Sequence, residues 1–247
     1  MTDLIVYEEN GILWASIDRQ NKAGSISREV TDGYIEAVAR VTKDPSLKGL
    51  IWTSESSTLF SGGVDLKVPQ GFNEQQASEW RTAIIVDLIH ATLSCPRPIV
   101  TMTRGRLLGG AFLNALSSDR IVAASGATFK LPEVQIGIGS PIAAVVVEGT
   151  TNAGLAYDFL LSARDIPAEE LESKGGPCTV VPEENLRDAA IEKIENLASM
   201  PSEAFGYMKN WFQKPRIAAL NEAIQYTNKT RKGKNDEVNA MVNQFFQ

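Results

Sequence analysis

The chain is poor in the residues that most catalytic sites use. It has one histidine, His90, in 247 residues, so a metal site built from several histidines is excluded. Its two cysteines, Cys95 and Cys178, are too few for a disulfide scaffold and form no Cys-x-x-Cys pair. No Gly-x-Ser-x-Gly elbow and no Gly-x4-Gly-Lys-Ser/Thr phosphate loop occurs. Gly137 and Gly139 lack the third glycine of a dinucleotide fingerprint. Positive charge is also scarce. The net charge is −6, and the only basic cluster, Lys229 to Lys234, is short and followed by Asp236 and Glu237. That excludes the basic stripe of a nucleic-acid binder and reads as a solvated face. The longest smooth apolar run, Ile142 to Val147, is core-sized and far below a membrane span. The first ten residues are acidic where a presequence would be basic, and the last three are not Ser-Lys-Leu. A cytoplasmic location without nucleic-acid or membrane partners is the expectation.

What remains is apolar residues, glycine turns and carboxylates. Apolar residues make up 43% of the chain, enough for one large core. Leu4–Tyr7 and Ile12–Asp18 read as a hairpin, with Glu8-Glu9-Asn10-Gly11 as its turn. Val30, Tyr34, Val38 and Val41 fall on one face of a helix over 28–43. Strands are expected at 50–54, 99–103, 120–124 and 128–131, with a long helix over 72–93 capped by Asn73. Beyond Gly139 helices dominate, at 151–161, 168–174, 183–199, 202–213, 216–229 and 235–246, with prolines near their starts. The pattern is α/β followed by a helical tail, divided as a core over 1–195 and a helical subdomain over 196–247.

Two strand exits end in small-residue turns, Ser61-Gly62-Gly63 and Gly109-Gly110-Ala111. Glycine lets the backbone approach a ligand closely. Amides from two such turns, with the dipole of the helix starting near Gly110, can hold a developing oxyanion. A carboxylate follows at Glu133, between Pro132 and a further glycine-rich stretch, and can move a proton.

These segments carry a resemblance. Phe60-Ser-Gly-Gly-Val-Asp-Leu66, Leu108-Gly-Gly-Ala111, Ser118-Asp-Arg-Ile121 and Thr128-Phe-Lys-Leu-Pro-Glu-Val-Gln-Ile-Gly137 resemble, in order and spacing, motifs of the enoyl-CoA hydratase/isomerase (crotonase) superfamily. The likeness runs from Leu4 into the C-terminal helices. It implies a spiral of repeated ββα units with a helical C-terminal subdomain. It implies an acyl-CoA thioester as substrate, with coenzyme A as part of it and no separate cofactor or metal. It further implies a homotrimer or dimer of trimers, and a place in fatty-acid metabolism. Carried over by position, the amides of Gly62 and Gly110 are the oxyanion donors, and Ala23, Ser25 and Lys67 lie toward the coenzyme. Gly24 departs from the asparagine common at its place.

The same matching puts Leu113 where one of the two carboxylates of a hydratase would stand. Leucine cannot hold or activate water. One glutamate beside an oxyanion hole suits a proton shuttle: Glu133 takes a proton from C2 of a 3-enoyl-CoA and returns it at C4. Leu107, Phe112 and Leu113 are expected to wall a water-poor cleft and to raise the Glu133 pKa. Gly24–Ser27, Ser46–Ser54 and the non-carboxylate at Leu113 resemble the delta-3,delta-2-enoyl-CoA isomerase branch. The alternatives are another reaction on the same scaffold (hydratase, hydrolase or decarboxylase) and a non-catalytic acyl-CoA binder. Dehalogenase-like members carry a histidine on the helix of His90, but Pro141 stands where their nucleophilic aspartate lies.

Overall fold

A computed structural model describes residues 3–65, 67 and 69–230. The expected helix over 235–246 lies outside them. The elements in order are β1 (Leu4–Glu9), β2 (Ile12–Ile17), α1 (Arg28–Lys43), β3 (Gly49–Ser54), β4 (Leu59–Ser61) and α2 (Glu74–Ser94). Next come β5 (Ile99–Thr103), β6 (Arg106–Leu108), α3 (Gly109–Ser117), β7 (Arg120–Ala124), β8 (Thr128–Lys130) and α4 (Pro141–Glu148). The last are α5 (Ala153–Tyr157), β9 (Ile166–Pro167), α6 (Ala168–Ser173), β10 (Cys178–Val181), α7 (Leu186–Ala198) and α8 (Ser202–Thr230).

Local chemistry sets these boundaries. Asn10 and Gly11 both take positive φ, the tight turn that matches the twist of a hairpin. The Ser27 hydroxyl accepts the Val30 amide and opens α1. Asn73 and Gln76 form a reciprocal capping box at the start of α2.

The strands form two sheets. The larger runs β1-β2-β3-β5-β7-β10, parallel except for β1 with β2. The smaller runs β4-β6-β8-β9, parallel except for β8 with β9. Each successive strand pair, β3-β4, β5-β6 and β7-β8, puts its first member in the large sheet and its second in the small one, and a helix follows. This is the expected spiral of ββα units. The small parallel sheet stacks the ends of β4, β6 and β8 side by side, and the turns after them share one edge.

Between the sheets and helices lies the main core. Trp52 packs edge-on against Tyr34 and Phe60 at 5.8 and 5.0 Å. Phe112 stacks on Phe129 at 4.8 Å and packs on Phe159. A second cluster fills the outer face, where α7 lays Leu186, Ala190 and Ile194 over Ile51, Val100 and Val122. Burial on both faces explains why β3 and β5 read as nearly continuous apolar runs.

The helical tail differs from the expectation in one respect. Residues 202–230 form one helix, with Pro215 inside it. A proline removes the bond to the carbonyl four residues back. Here that carbonyl belongs to Trp211 on the exposed side, where water can satisfy it, so the helix continues. Lys209 pins α8 to the sheet: its ammonium donates to Asp119 Oδ2 at 2.6 Å and to the Arg97 carbonyl at 2.9 Å. The same Asp119 oxygen accepts the Ile99 amide at the start of β5.

Candidate active site

The first turn follows β4. Gly63 takes φ +101°, a conformation that favours glycine. The Ile26 amide donates to the Gly63 carbonyl and the Asp65 amide to the Ile26 carbonyl, each at 2.8 Å. In this parallel pairing Ile26 bonds the residues on either side of Val64, so the Val64 amide points away from Ile26. Among the described residues that amide donates to nothing. Gly62 is different. Its amide donates to the Ala23 carbonyl at 2.8 Å, so it is not available to a ligand. The amide of this turn left open to a ligand is therefore that of Val64 and not, as expected, that of Gly62.

The second turn follows β6. Gly109 takes φ +55°, and the chain enters α3 at once. The Gly110 amide belongs to the first helical turn, whose N–H groups have no partner within the helix and share its positive end. The pairing of β4 with β6 sets Ser61 beside Leu107 and brings the turns together. A β-carbon built on Gly63 would stand 3.8 Å from the Gly110 nitrogen. One built on Gly110 would meet Ile85 Cδ1 at 2.7 Å and Val64 Cγ2 at 3.0 Å, so no larger residue fits. Two unused amides thus lie side by side beneath α2.

Glu133 completes the arrangement. Pro132 ends the chain's exit from β8, and Glu133 opens a 3-10 turn closed by Gly137 at φ +74°. This holds the carboxylate against the second glycine turn: a β-carbon on Gly109 would stand 3.4 Å from Glu133 Oε1. Its other oxygen, Oε2, is sealed from solvent. The Glu133 carboxylate therefore lies against the turn that carries the Gly110 amide. Leu113 lies one turn along α3 from Gly110 and is buried. The structure thus sets Glu133 against the turn that leads into Gly110, with Leu113 one helical turn further along α3.

A family model described as enoyl-CoA hydratase/isomerase matches residues 7–241. The chain belongs to the enoyl-CoA hydratase/isomerase family. The carboxymethylproline synthase of Pectobacterium carotovorum subsp. carotovorum is 28% identical over 221 residues, 88% of each chain. The bacillaene synthase decarboxylase of Bacillus subtilis is 24% identical over 221 residues, 88% of this chain and 86% of that one. An enoyl-CoA hydratase structure from Mycobacterium avium subsp. paratuberculosis superposes with TM-score 0.84 at 22% identity, over 99% of this chain and 96% of that one. The protein is an acyl-CoA enzyme of the enoyl-CoA hydratase/isomerase family, and its fold is the family's.

Within this family frame, the other expected residues separate. Leu107 and Phe112 are fully buried and sit in the core rather than on a cleft wall. Every residue of α3 is buried, so its sequence does not mark which apolar side chain faces the site. Ala23 and Ser25 lie at the rim beside Gly62. Ala23 supplies the carbonyl that Gly62 uses, and the Ser25 carbonyl and hydroxyl accept from Arg19. Lys67 is exposed, and its amide donates to Asp65 Oδ1. Arg19 ties this rim together by also holding Asp3 and Asp65, both at 2.8 Å. Burial alone would raise the Asp65 carboxyl, but the Lys67 amide and Arg19 outweigh it and hold it below the ordinary carboxylate range.

An apolar cavity of about 850 Å³ extends from Glu133 between α4, α5 and the end of α8, past Leu131, Ala143, Phe159 and Tyr226. One wall is a π-helical turn, Asp158–Ser162, that continues α5. Among the described residues no three His, Cys, Asp or Glu side chains are grouped to hold a metal. No helix among them is long and apolar enough to cross a membrane. His90 Nε2 bonds Asn221 Oδ1 at 2.9 Å, which joins α2 to α8. Pro141 is the first residue of α4, capped by Ser140.

Proposed function

We propose that the protein shifts the double bond of a 3-enoyl-CoA to the 2 position, with Glu133 as the single proton carrier. The thioester oxygen accepts from the Val64 and Gly110 amides. Glu133 removes a C2 proton, and the electrons spread through the dienolate onto that oxygen. The protonated Glu133 then returns the proton at C4, and the double bond becomes conjugated with the thioester. Amides fixed by their turns need no reorganisation as the charge develops, which makes such holes effective.

The observation that carries this reading is Glu133 lying against the second glycine turn, with leucine at position 113 on the helix that follows. The carboxylate lies against the oxyanion turn, and the position one turn from Gly110 offers leucine where a second acid would be needed to hold water. The test is absorbance of a 3-enoyl-CoA incubated with the protein. Conjugation with unchanged mass is expected; addition of water would overturn the isomerase reading.

A second reading, loss of carbon dioxide from a 2-carboxyacyl thioester, is favoured by the relative named a decarboxylase. Cleavage of the C2–carboxylate bond leaves its electron pair as the same enolate, and protonated Glu133 would then supply the C2 proton. Release of carbon dioxide from methylmalonyl-CoA, with no reaction of the 3-enoyl thioester, would select it. A protein that binds every thioester and turns over none would be the acyl-CoA binder instead.

We also propose a homotrimer or dimer of trimers. Support comes from the exposed apolar face of α8, where Tyr207, Met208, Trp211 and Phe212 are each more than half exposed in the single chain. Sedimentation as a monomer at micromolar concentration would overturn it. A cytoplasmic location remains part of the proposal, and fractionation of cells expressing the protein would test it.

A further inference from the structure

The buried face of α2 carries Ala77, Ile84, Ile85, Leu88 and Thr92, in the three- and four-residue steps of a helix stripe. Arg81 falls on this stripe, four residues after Ala77 and four before Ile85. An apolar residue is the expected occupant there. Arg81 is half-buried, and among the described residues it has neither a carboxylate nor a carbonyl as partner. Arg216, buried more deeply, bonds the Gln213 side chain and, among the described residues, no carboxylate. Arg19 holds two carboxylates at 2.8 Å, and Arg28 holds two at 2.5 and 2.7 Å. Burial pulls the Arg81 guanidinium below its ordinary value.

The position is specific. Ile85 touches the oxyanion turn, its Cδ1 being 2.7 Å from where a Gly110 β-carbon would stand. Arg81 lies one turn away on the same face, about 6 Å along the helix axis. An arginine side chain spans that distance, so the oxyanion turn is within its reach. The coenzyme phosphates lie at the far end of the pantetheine arm. A half-buried cation without a counterion bears a desolvation cost, which a bidentate carboxylate offsets.

We propose that Arg81 receives a carboxylate carried by the acyl group, so that the natural substrate is a carboxyacyl-CoA. This rests on reading the site as an acyl-thioester site. It holds for either the double-bond shift or the loss of carbon dioxide, since both pass through the same enolate.

The test compares unreactive saturated thioesters matched in length: hexanoyl-CoA with adipoyl-CoA, and pentanoyl-CoA with glutaryl-CoA, by titration calorimetry. The wild-type protein is expected to bind at least one carboxylate ligand about 10- to 100-fold more tightly than its neutral match. Arg81→Gln is expected to lose that preference, and Arg81→Lys to keep part of it. Thermal unfolding of each variant reports whether the fold is intact. Equal binding of both matched pairs by the wild type overturns the proposal, as does a preference that survives Arg81→Gln. If Arg81→Gln weakens hexanoyl-CoA and free coenzyme A as much as adipoyl-CoA, the arginine reads phosphate, and the proposal is also overturned. Hexanoyl-CoA binding without a carboxylate preference defeats Arg81 alone. No binding of any thioester defeats the reading of the site itself.

Discussion

The Gly62 amide donates to the Ala23 carbonyl at 2.8 Å, and this bond decides which backbone groups of the first turn are left for a substrate. It ties the rim strand at Ala23 to the glycine pair and leaves the next unused amide at Val64. Gly62 is therefore an anchor of the turn, whereas Val64 presents the donor.

The two roles predict different failures. Val64→Pro deletes an amide that bonds nothing in the protein, and is expected to lower kcat about 10²- to 10³-fold with little change in unfolding temperature. Gly62→Pro deletes the bond to Ala23, and is expected to lower stability by about 1 kcal/mol or more before any effect on chemistry. Steady-state kinetics beside thermal unfolding separates them. A Val64→Pro protein with normal turnover would place the donor elsewhere.

Glu133→Gln keeps the shape of the side chain and removes its ability to carry the proton. Turnover is expected to fall about 10²- to 10⁴-fold, with thioester affinity close to that of the wild type. Absorbance kinetics and calorimetry on the same preparation check both halves. Intact turnover would remove Glu133 from the mechanism.

The Arg19–Asp65 pair makes a pH prediction. The folded Asp65 pKa lies below the unfolded value, so its stabilisation is complete above the ordinary carboxylate pKa of about 4 and is lost as pH falls through the lower folded value. Urea midpoints of the wild type should therefore drop below about pH 4 more steeply than those of Asp65→Asn. Asp65→Asn should also be the less stable protein at pH 7. Parallel midpoint curves for the two would contradict this.

Lys209→Met leaves the buried Asp119 carboxylate with the Ile99 amide but without its cation. Breaking one side of a buried pair costs about 3–5 kcal/mol, so a large fall in urea midpoint is expected. Replacing both partners, as Lys209→Met with Asp119→Asn, should recover part of it. A single variant as stable as the wild type would show that α8 is held by its apolar contacts alone.

Much of the fold was legible because its elements are bounded by local chemistry. Ser27, Asn73 and the prolines before β5 mark ends that any register of the sheet would respect. The sequence could not show that Pro215 would be absorbed, because that depends on Trp211 facing water. In the site, Glu133 stood out through its proline and glycine neighbours, and Gly110 through the turn into α3. Val64 did not, because the direction of its amide is set by pairing with the distant Ile26. Phe112 stacks on Phe129 in the core, which an all-apolar helix does not reveal, and Leu107 is buried in β6 before that helix begins. Arg81 was readable in principle, as one charge on an otherwise apolar helical stripe.

Both proposed donors are main-chain amides on two turns that lie against each other. Only proline at the donor position itself deletes such an amide, so on the proposed reading the capacity to hold an enolate is robust to drift at most positions. What drift can change is the group that arrives or leaves beside the enolate, through Glu133, Leu113 and Arg81. Redesigning the reaction of this protein is correspondingly a problem of three side chains rather than of a new scaffold.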